Sequence, residues 1–206
     1  MIKKILILVG LIASTSVFAQ ADKFSGFSVG LNTGFNSNTA VFNTDTSTTG
    51  STLEVGRQNT PFNTNFSYVF AISQNATFGI GINYDLTKTK FTDKNTSDGI
   101  TLTSTLKNHY SLNFEPGYAF NENTLGYLKV GYASAKIDGS GSSSSISKNS
   151  TGYGYGFGTR YLLDKNLFLN TEIYQEKLSK ISATITNSVT FTPTVLSATV
   201  GIGYKF

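Results

Sequence analysis

The C-terminal stretch LSATVGIGYKF, residues 196–206, alternates strictly between apolar and small or polar residues. Leu, Ala, Val, Ile, Tyr and Phe take the even-numbered positions, while Ser, Thr, Gly and Lys take the odd-numbered ones. Successive side chains of a β-strand leave opposite faces of the sheet. This period of two therefore predicts a strand with one apolar face and one polar face.

The same alternation recurs along the chain after residue 24 and predicts eight strands in all. The other seven segments begin near Phe27, Phe66, Phe78, Tyr110, Leu128, Tyr153 and Leu167. Their apolar faces are rich in Phe and Tyr and carry no charge, whereas their other faces are rich in Gly, Ser and Asn. The class of the fold depends on which of the two faces points outward.

The residues on each face indicate their directions. Glycine on a solvent-facing strand weakens the strand without benefit, whereas small residues suit the narrow interior of a small barrel. A Lys or Arg that faces the middle of a bilayer costs about 2–4 kcal/mol. The charged strand residues all share a face with the small residues: Asp85, Lys107, Glu115, Lys129, Arg160, Glu172 and Lys205. The apolar face is therefore expected to contact lipid.

Short and long connections alternate between the predicted strands. The short ones are residues 73–76, 121–124 and 164–166, and the long polar ones are 37–61, 87–105, 136–151 and 178–194. Because lipid offers no hydrogen-bond partners, the edges of the sheet must pair with each other. The sequence thus predicts an all-β fold, an eight-stranded antiparallel transmembrane up-and-down barrel with short periplasmic turns and long extracellular loops. The pattern also allows an additional hairpin within residues 37–61.

The first 19 residues, MIKKILILVGLIASTSVFA, have the three parts of a secretory signal peptide. Lys3 and Lys4 precede an apolar run, and small residues precede Ala19. The apolar run is shorter than the roughly 20 residues of a spanning helix. We expect a cleaved signal peptide at 1–19, or a cut after Ala21, and an exported barrel domain at 20–206.

Composition excludes several classes of function. The chain has no cysteine, which excludes disulfides, thiolate metal sites, a cysteine nucleophile and a lipid anchor on an N-terminal cysteine. The net charge is only +4 and no basic run occurs, so nucleic acid is not an expected partner. His109 is the single histidine, which excludes a histidine-rich metal site. No cofactor is predicted.

The inward charges form the main candidate constellation. They are Asp85, Lys107, Glu115, Lys129, Arg160 and Glu172. We expect Lys129 and Arg160 to pair with Glu115 and Glu172 across neighbouring strands. Because the interior of an eight-stranded barrel is just filled by side chains, these pairs are expected to plug the lumen. The alternative is an ion path gated by the same pairs.

An enzymatic interpretation rests on His109-Tyr110-Ser111, which is similar to the His-x-Ser pair of outer-membrane lipid A deacylases. The catalytic residues of those enzymes face the lipid. Here Tyr110 holds the outward position, so His109 and Ser111 are expected to point inward. No outward acid is available to orient the imidazole, as a catalytic triad requires. The sequence therefore predicts no catalytic residue.

Several stretches resemble the opacity-protein and OmpA-like barrel family: EPGYAFN at 115–121, LKVGY at 128–132, GYGFGTRYLL at 154–163 and LNTEIY at 169–174. The ending GIGYKF resembles the C-terminal signal of outer-membrane barrels, with Gly201, Tyr204 and Phe206 at its motif positions. The resemblance implies an eight-stranded outer-membrane barrel that acts in surface exposure, adhesion or envelope integrity, and a lumen closed by ionic pairs. It does not imply tethering to the cell wall, because the peptidoglycan-binding domain of full-length OmpA proteins has no counterpart in the sequence.

The leading hypothesis is a non-enzymatic barrel in the outer membrane. Its expected partners are outer-membrane lipid and lipopolysaccharide, the outer-membrane assembly machinery, and an extracellular ligand held by the loops. A low-conductance porin is the alternative from the transport class, and a lipid A-modifying enzyme is the alternative from the enzyme class. A soluble lipocalin-like barrel would need its apolar faces inside.

Overall fold

The computed structural model describes residues 20–45, 51–95, 101–141, 144–184 and 188–206. The predicted signal peptide at 1–19 lies outside the described residues. In the described part of the chain, no helix is long and apolar enough to cross a membrane.

The described residues form one short 3-10 helix, Ala21–Phe24, and eleven β-strands. The strands are β1 (Gly26–Asp45), β2 (Ser51–Asn59), β3 (Phe62–Ala71), β4 (Ala76–Asp85), β5 (Thr89–Asn95), β6 (Thr101–Ala119), β7 (Thr124–Gly141), β8 (Ser144–Leu162), β9 (Leu167–Leu178), β10 (Ile181–Thr184) and β11 (Ser188–Lys205). β2, β5 and β10 lie beyond the ends of β3, β4 and β9, across short breaks.

The remaining eight strands close into an antiparallel barrel, as the alternation predicted. They follow one another in the order β1, β3, β4, β6, β7, β8, β9 and β11. β11 then pairs with β1 from Ser28↔Lys205 to Asp45↔Ser188, which leaves the barrel without a free edge. The amide of Phe206 extends this seam by donating to the carbonyl of Phe27 at 2.9 Å.

The three short connections are tight turns at one end of the barrel. Asp164 Oδ1 accepts the amides of Asn166 and Leu167, at 2.7 and 2.6 Å. Asn121 Oδ1 accepts the amides of Asn123 and Thr124 in the same way, at 2.9 and 2.8 Å. An Asx side chain that satisfies two turn amides favours the tight reversal. These turns form the periplasmic end of the barrel.

The long connections are mostly strand rather than irregular loop, which differs from the expectation. β1 and β2 pair from Asn36↔Asn59 to Thr44↔Ser51, so the described residues of the 37–61 connection extend the barrel wall without adding a ninth transmembrane strand. β7 and β8 likewise pair as far as Gly141↔Ser144. Ser, Thr and Asn hid these extensions from the sequence, because the apolar face that marks a membrane-embedded strand ends where the lipid ends.

The apolar faces point outward, as expected. Phe157 on β8 is 55% exposed, whereas Arg160 on the same strand is 4% exposed. Large aromatic and aliphatic side chains cover the outer wall in the same way, and Asn, Ser and Gly fill the inner one. This arrangement is that of a barrel in lipid and the reverse of a soluble lipocalin-like barrel.

Two apolar clusters lie inside the barrel, one at each end. The periplasmic cluster comprises Phe24, Val69, Ala119, Leu125, Leu162 and Phe168. The external cluster comprises Ala40, Val55, Phe91, Leu106, Ala133, Ala135, Ile137, Leu178, Ile181, Phe191 and Val195. The 3-10 helix carries Phe24 into the periplasmic cluster, and the amide of Ala21 donates to the carbonyl of Gln74 in the β3–β4 turn at 3.0 Å. The polar lumen is therefore bounded above and below by apolar side chains.

Candidate functional site

The polar part of the lumen lies between the two apolar clusters and holds the inward charges. Lys129 is 1% exposed, so its ammonium depends on partners inside the barrel. Both carboxylate oxygens of Glu172 lie 2.9 Å from its Nζ. The hydroxyl of Tyr127 also donates to Glu172, at 3.2 Å. Lys129 is thus enclosed, Glu172 keeps 11% of its side chain exposed, and the two charges balance each other.

A second ion pair lies nearer the periplasmic end. Nη2 of Arg160 lies 3.5 Å from Oε2 of Glu115. The guanidinium also packs over the rings of Phe168 and Tyr127, with its Cζ 4.8 and 5.7 Å from the ring centroids. The planar cation is thus held between the polar layer and the periplasmic cluster.

The partners of both pairs stand two strands apart, not on neighbouring strands as expected. Lys129 on β7 is opposite Gly156 of β8, and Glu172 on β9 is opposite Gly158 of β8. Long side chains therefore meet above the glycines of the intervening strand. The sequence gives the face of each residue but not this spacing, because spacing depends on barrel curvature and on the length of the side chains.

The glycines of β8 make room for two inward tyrosines. A Cβ built on Gly154 would lie 2.5 Å from the Tyr174 ring, and one on Gly158 would lie 2.5 Å from the Tyr127 ring. Both rings therefore lie flat over β8. Nζ of Lys129 sits 4.8 Å from the centroid of Tyr174. The glycine-rich inner face of β8 thus leaves the space in which the side chains of the polar layer pack.

His109 forms a third charged group with two carboxylates. Its Nδ1 lies 2.9 Å from Oδ2 of Asp85 on the adjacent strand β4. Its Nε2 lies 2.8 Å from Oε2 of Glu176, an ion-pair contact that reaches across the lumen to β9 but does not meet hydrogen-bond angles. His109 points inward as expected, and the acid beside it is also inward.

Asparagine side chains link the wall near the closing seam. Nδ2 of Asn32 donates to Oδ1 of Asn63 at 2.8 Å, and Nδ2 of Asn170 donates to Oδ1 of Asn32 at 2.8 Å. These bonds join β3, β1 and β9 across β11, where Gly201 leaves space for them. Gly201, one of the predicted C-terminal motif positions, thus has a packing role in the structure.

Lys107 lies outside the lumen, contrary to the expectation. Asn108 has a φ of 47°, and the register between β6 and β7 shifts between Lys107 and Tyr110. This bulge reverses the parity of β6, so that Leu106 rather than Lys107 points inward. Nζ of Lys107 lies 2.6 Å from Oδ2 of Asp138 on the outer surface, and this hydrogen bond lowers the pKa of the Asp138 carboxyl.

Sequence reasoning missed Glu176, Tyr127 and Tyr174 as members of the lumen layer, and it left His109 out of the ionic network. The parity signal was present, since Asn170, Glu172 and Glu176 share one face of β9. Tyr174 lies on the same face and obscured this signal, because aromatic side chains were expected to face the lipid.

The other predicted C-terminal positions lie at the seam. The Tyr204 and Phe206 rings stand 5.1 Å apart, and Phe206 also contacts Phe27 at 5.7 Å between ring centroids. These rings belong to the aromatic band at the periplasmic interface. Within the described residues, no group of three or more His, Cys, Asp or Glu side chains is placed to hold a metal ion.

Comparison with known proteins gives a family and a fold. The model of the outer membrane protein beta-barrel domain matches residues 5–206. The crystal structure of the outer membrane protein OprG from Pseudomonas aeruginosa is 14% identical, with a TM-score of 0.55 over 88% of this chain and 97% of that one. Ail, the attachment invasion locus protein of Yersinia pestis, is 17% identical, with a TM-score of 0.46 over 88% of this chain and 99% of its own. No curated protein matches the sequence.

Proposed function

Because the chain belongs to the outer membrane protein β-barrel domain family and resides in the outer membrane, we propose that it is a non-enzymatic surface protein whose external hairpins make its contacts. Adhesion or envelope integrity is the role that suits this design. Its lumen is plugged and serves stability rather than transport.

The plugged lumen is supported by two features that act in series. The pairs Lys129–Glu172 and Arg160–Glu115 occupy the polar layer. The two apolar clusters lie above and below that layer, and a hydrated ion that crossed either cluster would lose its water shell. A low-conductance porin would need a continuous polar path, and these clusters oppose one.

A lipid A-modifying activity would need catalytic groups at the lipid-facing wall. His109 is buried inside the barrel between Asp85 and Glu176, and Ser111 also faces the lumen. The inward position of this cluster supports a structural role for it, in keeping with a non-enzymatic barrel.

The observation that carries the external role is the charge of the hairpins. The long connections together with the flanking Lys107 and Lys177 contain nine Lys or Arg and five Asp or Glu. Most of the described charges among them lie on strands that continue the barrel wall. A cationic surface favours an anionic partner and speeds its approach at low salt.

The test replaces exposed external lysines by glutamine in one variant, Lys88, Lys136 and Lys148, and compares binding of cells to heparin-coated beads. The matched control is Lys165→Gln in a periplasmic turn. We expect the external variant to lose most of the salt-sensitive binding, while the control keeps it and both remain heat-modifiable. Equal binding by wild type and the external variant would refute a role for these lysines.

A further inference from the structure

A small cavity lies inside the lumen at the level of His109. Its volume is about 40 Å³, which is room for a water-sized particle. It is lined by residues of β1, β3, β4, β6, β9 and β11, among them Asn36, Asp85 and Glu176.

Two buried oxygens at this cavity have no hydrogen-bond partner among the described residues. They are Oε1 of Glu176 and Oδ1 of Asn36, and the two residues are 2% and 4% exposed. Both atoms accept and neither donates. A buried acceptor without a partner is costly, so whatever occupies the cavity has to bring positive charge or hydrogen-bond donors.

The charges around the cavity are unequal. Glu172 also lines it, but both of its oxygens are taken by Lys129. Both ring nitrogens of His109 face carboxylate oxygens within 2.9 Å, and a single imidazole can balance at most one of these two carboxylates. Even with an imidazolium, Asp85 and Glu176 leave one negative charge unbalanced. An isolated charge is not stable in a closed low-dielectric space.

We propose that this cavity binds one small monovalent cation, such as Na⁺, through Oε1 of Glu176 and Oδ1 of Asn36. The charge deficit of one sets the valence, and oxygen ligands suit a hard cation. The bound ion completes the polar layer and links β1 to β9. It differs from a metal centre built on several acidic side chains, since the second ligand is the neutral amide oxygen of Asn36.

The experiment refolds the full chain in detergent with sodium chloride, or with N-methylglucamine chloride at the same ionic strength. Because the lumen is closed, the cation has to be present during folding. The readout is the midpoint temperature of the heat-modifiable gel shift. We expect the midpoint in sodium to be higher by about 3 °C or more.

Glu176→Gln removes the unbalanced charge and is expected to abolish the difference between the two salts. Glu54→Gln, on the exposed face of β2, is the matched control and should keep it. Equal wild-type midpoints in both salts would overturn the proposal in favour of a proton or a water molecule. This comparison of the wild type in the two salts decides the matter if Glu176→Gln does not fold.

Discussion

The buried charges of the lumen are stabilised mainly by the opposite charges of their partner side chains. Among the carboxylates that the structure describes, only Glu172 pairs with Lys129, at 2.9 Å from each oxygen. Removing one member of a buried pair leaves the other charge without compensation, whereas replacing both by apolar groups is often neutral.

We therefore expect Glu172→Gln to lower the free energy of unfolding by about 3–5 kcal/mol. The double variant Lys129→Met/Glu172→Leu is expected to recover most of this loss. Urea unfolding of the refolded variants in detergent, with resistance to trypsin as the readout, measures the free energy of unfolding of the single and the double variant. A double variant as unstable as the single one would show that the pair does more than balance charge.

At this scale the sequence predicts the face of a residue well and its partner poorly. Asp85, Glu115, Lys129, Arg160 and Glu172 point inward as their parity required. Lys107 does not, because the bulge at Asn108 shifts β6 by one position and no apolar residue marks that shift. The His109–Glu176 contact was not predictable, since it joins strands that are three positions apart around the barrel.

Among the elements, β8 shows how one strand shapes the whole lumen. Its inward glycines lie under Tyr174 and Tyr127. Gly154→Ala would push a Cβ into the Tyr174 ring and the Glu176 side chain, and we expect it to destabilise the barrel by about 1–3 kcal/mol. Urea unfolding measures the change.

Gly139→Ala on β7 is the matched control, because its Cβ would meet nothing closer than 4.0 Å. We expect the stability of this variant to stay within about 0.5 kcal/mol of the wild type. If both glycine variants lose the same stability, the loss reflects strand propensity rather than a clash with the Tyr174 ring.

The turn between β8 and β9 gives a pH dependence of known sign. The amides of Leu167 and Asn166 lower the pKa of the Asp164 carboxyl below its ordinary value of 3.8. A carboxyl whose pKa is lowered in the folded state stabilises the fold at pH values above its ordinary pKa. That stabilisation is lost as the pH falls through the folded-state pKa.

Asp164→Asn keeps an oxygen acceptor for these amides but cannot titrate. We expect its unfolding midpoint in urea to change less than that of the wild type between neutral pH and about pH 3. Asp164→Ala loses the acceptor and should be less stable at both pH values. An acid response of Asp164→Asn equal to that of the wild type would remove Asp164 as a contributor.

The strands themselves were predictable where they cross the membrane and not where they leave it. The Phe and Tyr face of β4 and β8 marks the lipid-facing region, so their alternation is clear in the sequence. Beyond that region the outer face meets water, and Ser and Thr replace the aromatics in β1, β2 and β8. The external hairpins therefore have the composition of loops and the structure of strands.

Considered as a whole, the molecule has three layers along its axis: the external apolar cluster, the polar layer and the periplasmic apolar cluster. Alternation predicted the polar layer but not the apolar ends, because large apolar side chains such as Phe91, Leu106 and Phe168 were expected on the lipid-facing side. The proposed plug depends on these ends, because apolar side chains at both ends of the polar layer oppose a continuous path for water and ions. Contacts with the outside are then left to the hairpins.

Planar-bilayer recording of the refolded full chain tests the closed lumen most directly, with a porin incorporated under the same conditions as the positive control. The three layers predict no steady current above the membrane background at any moderate voltage. A large, steady and ohmic conductance would contradict them, because water and ions would then have to pass both apolar clusters.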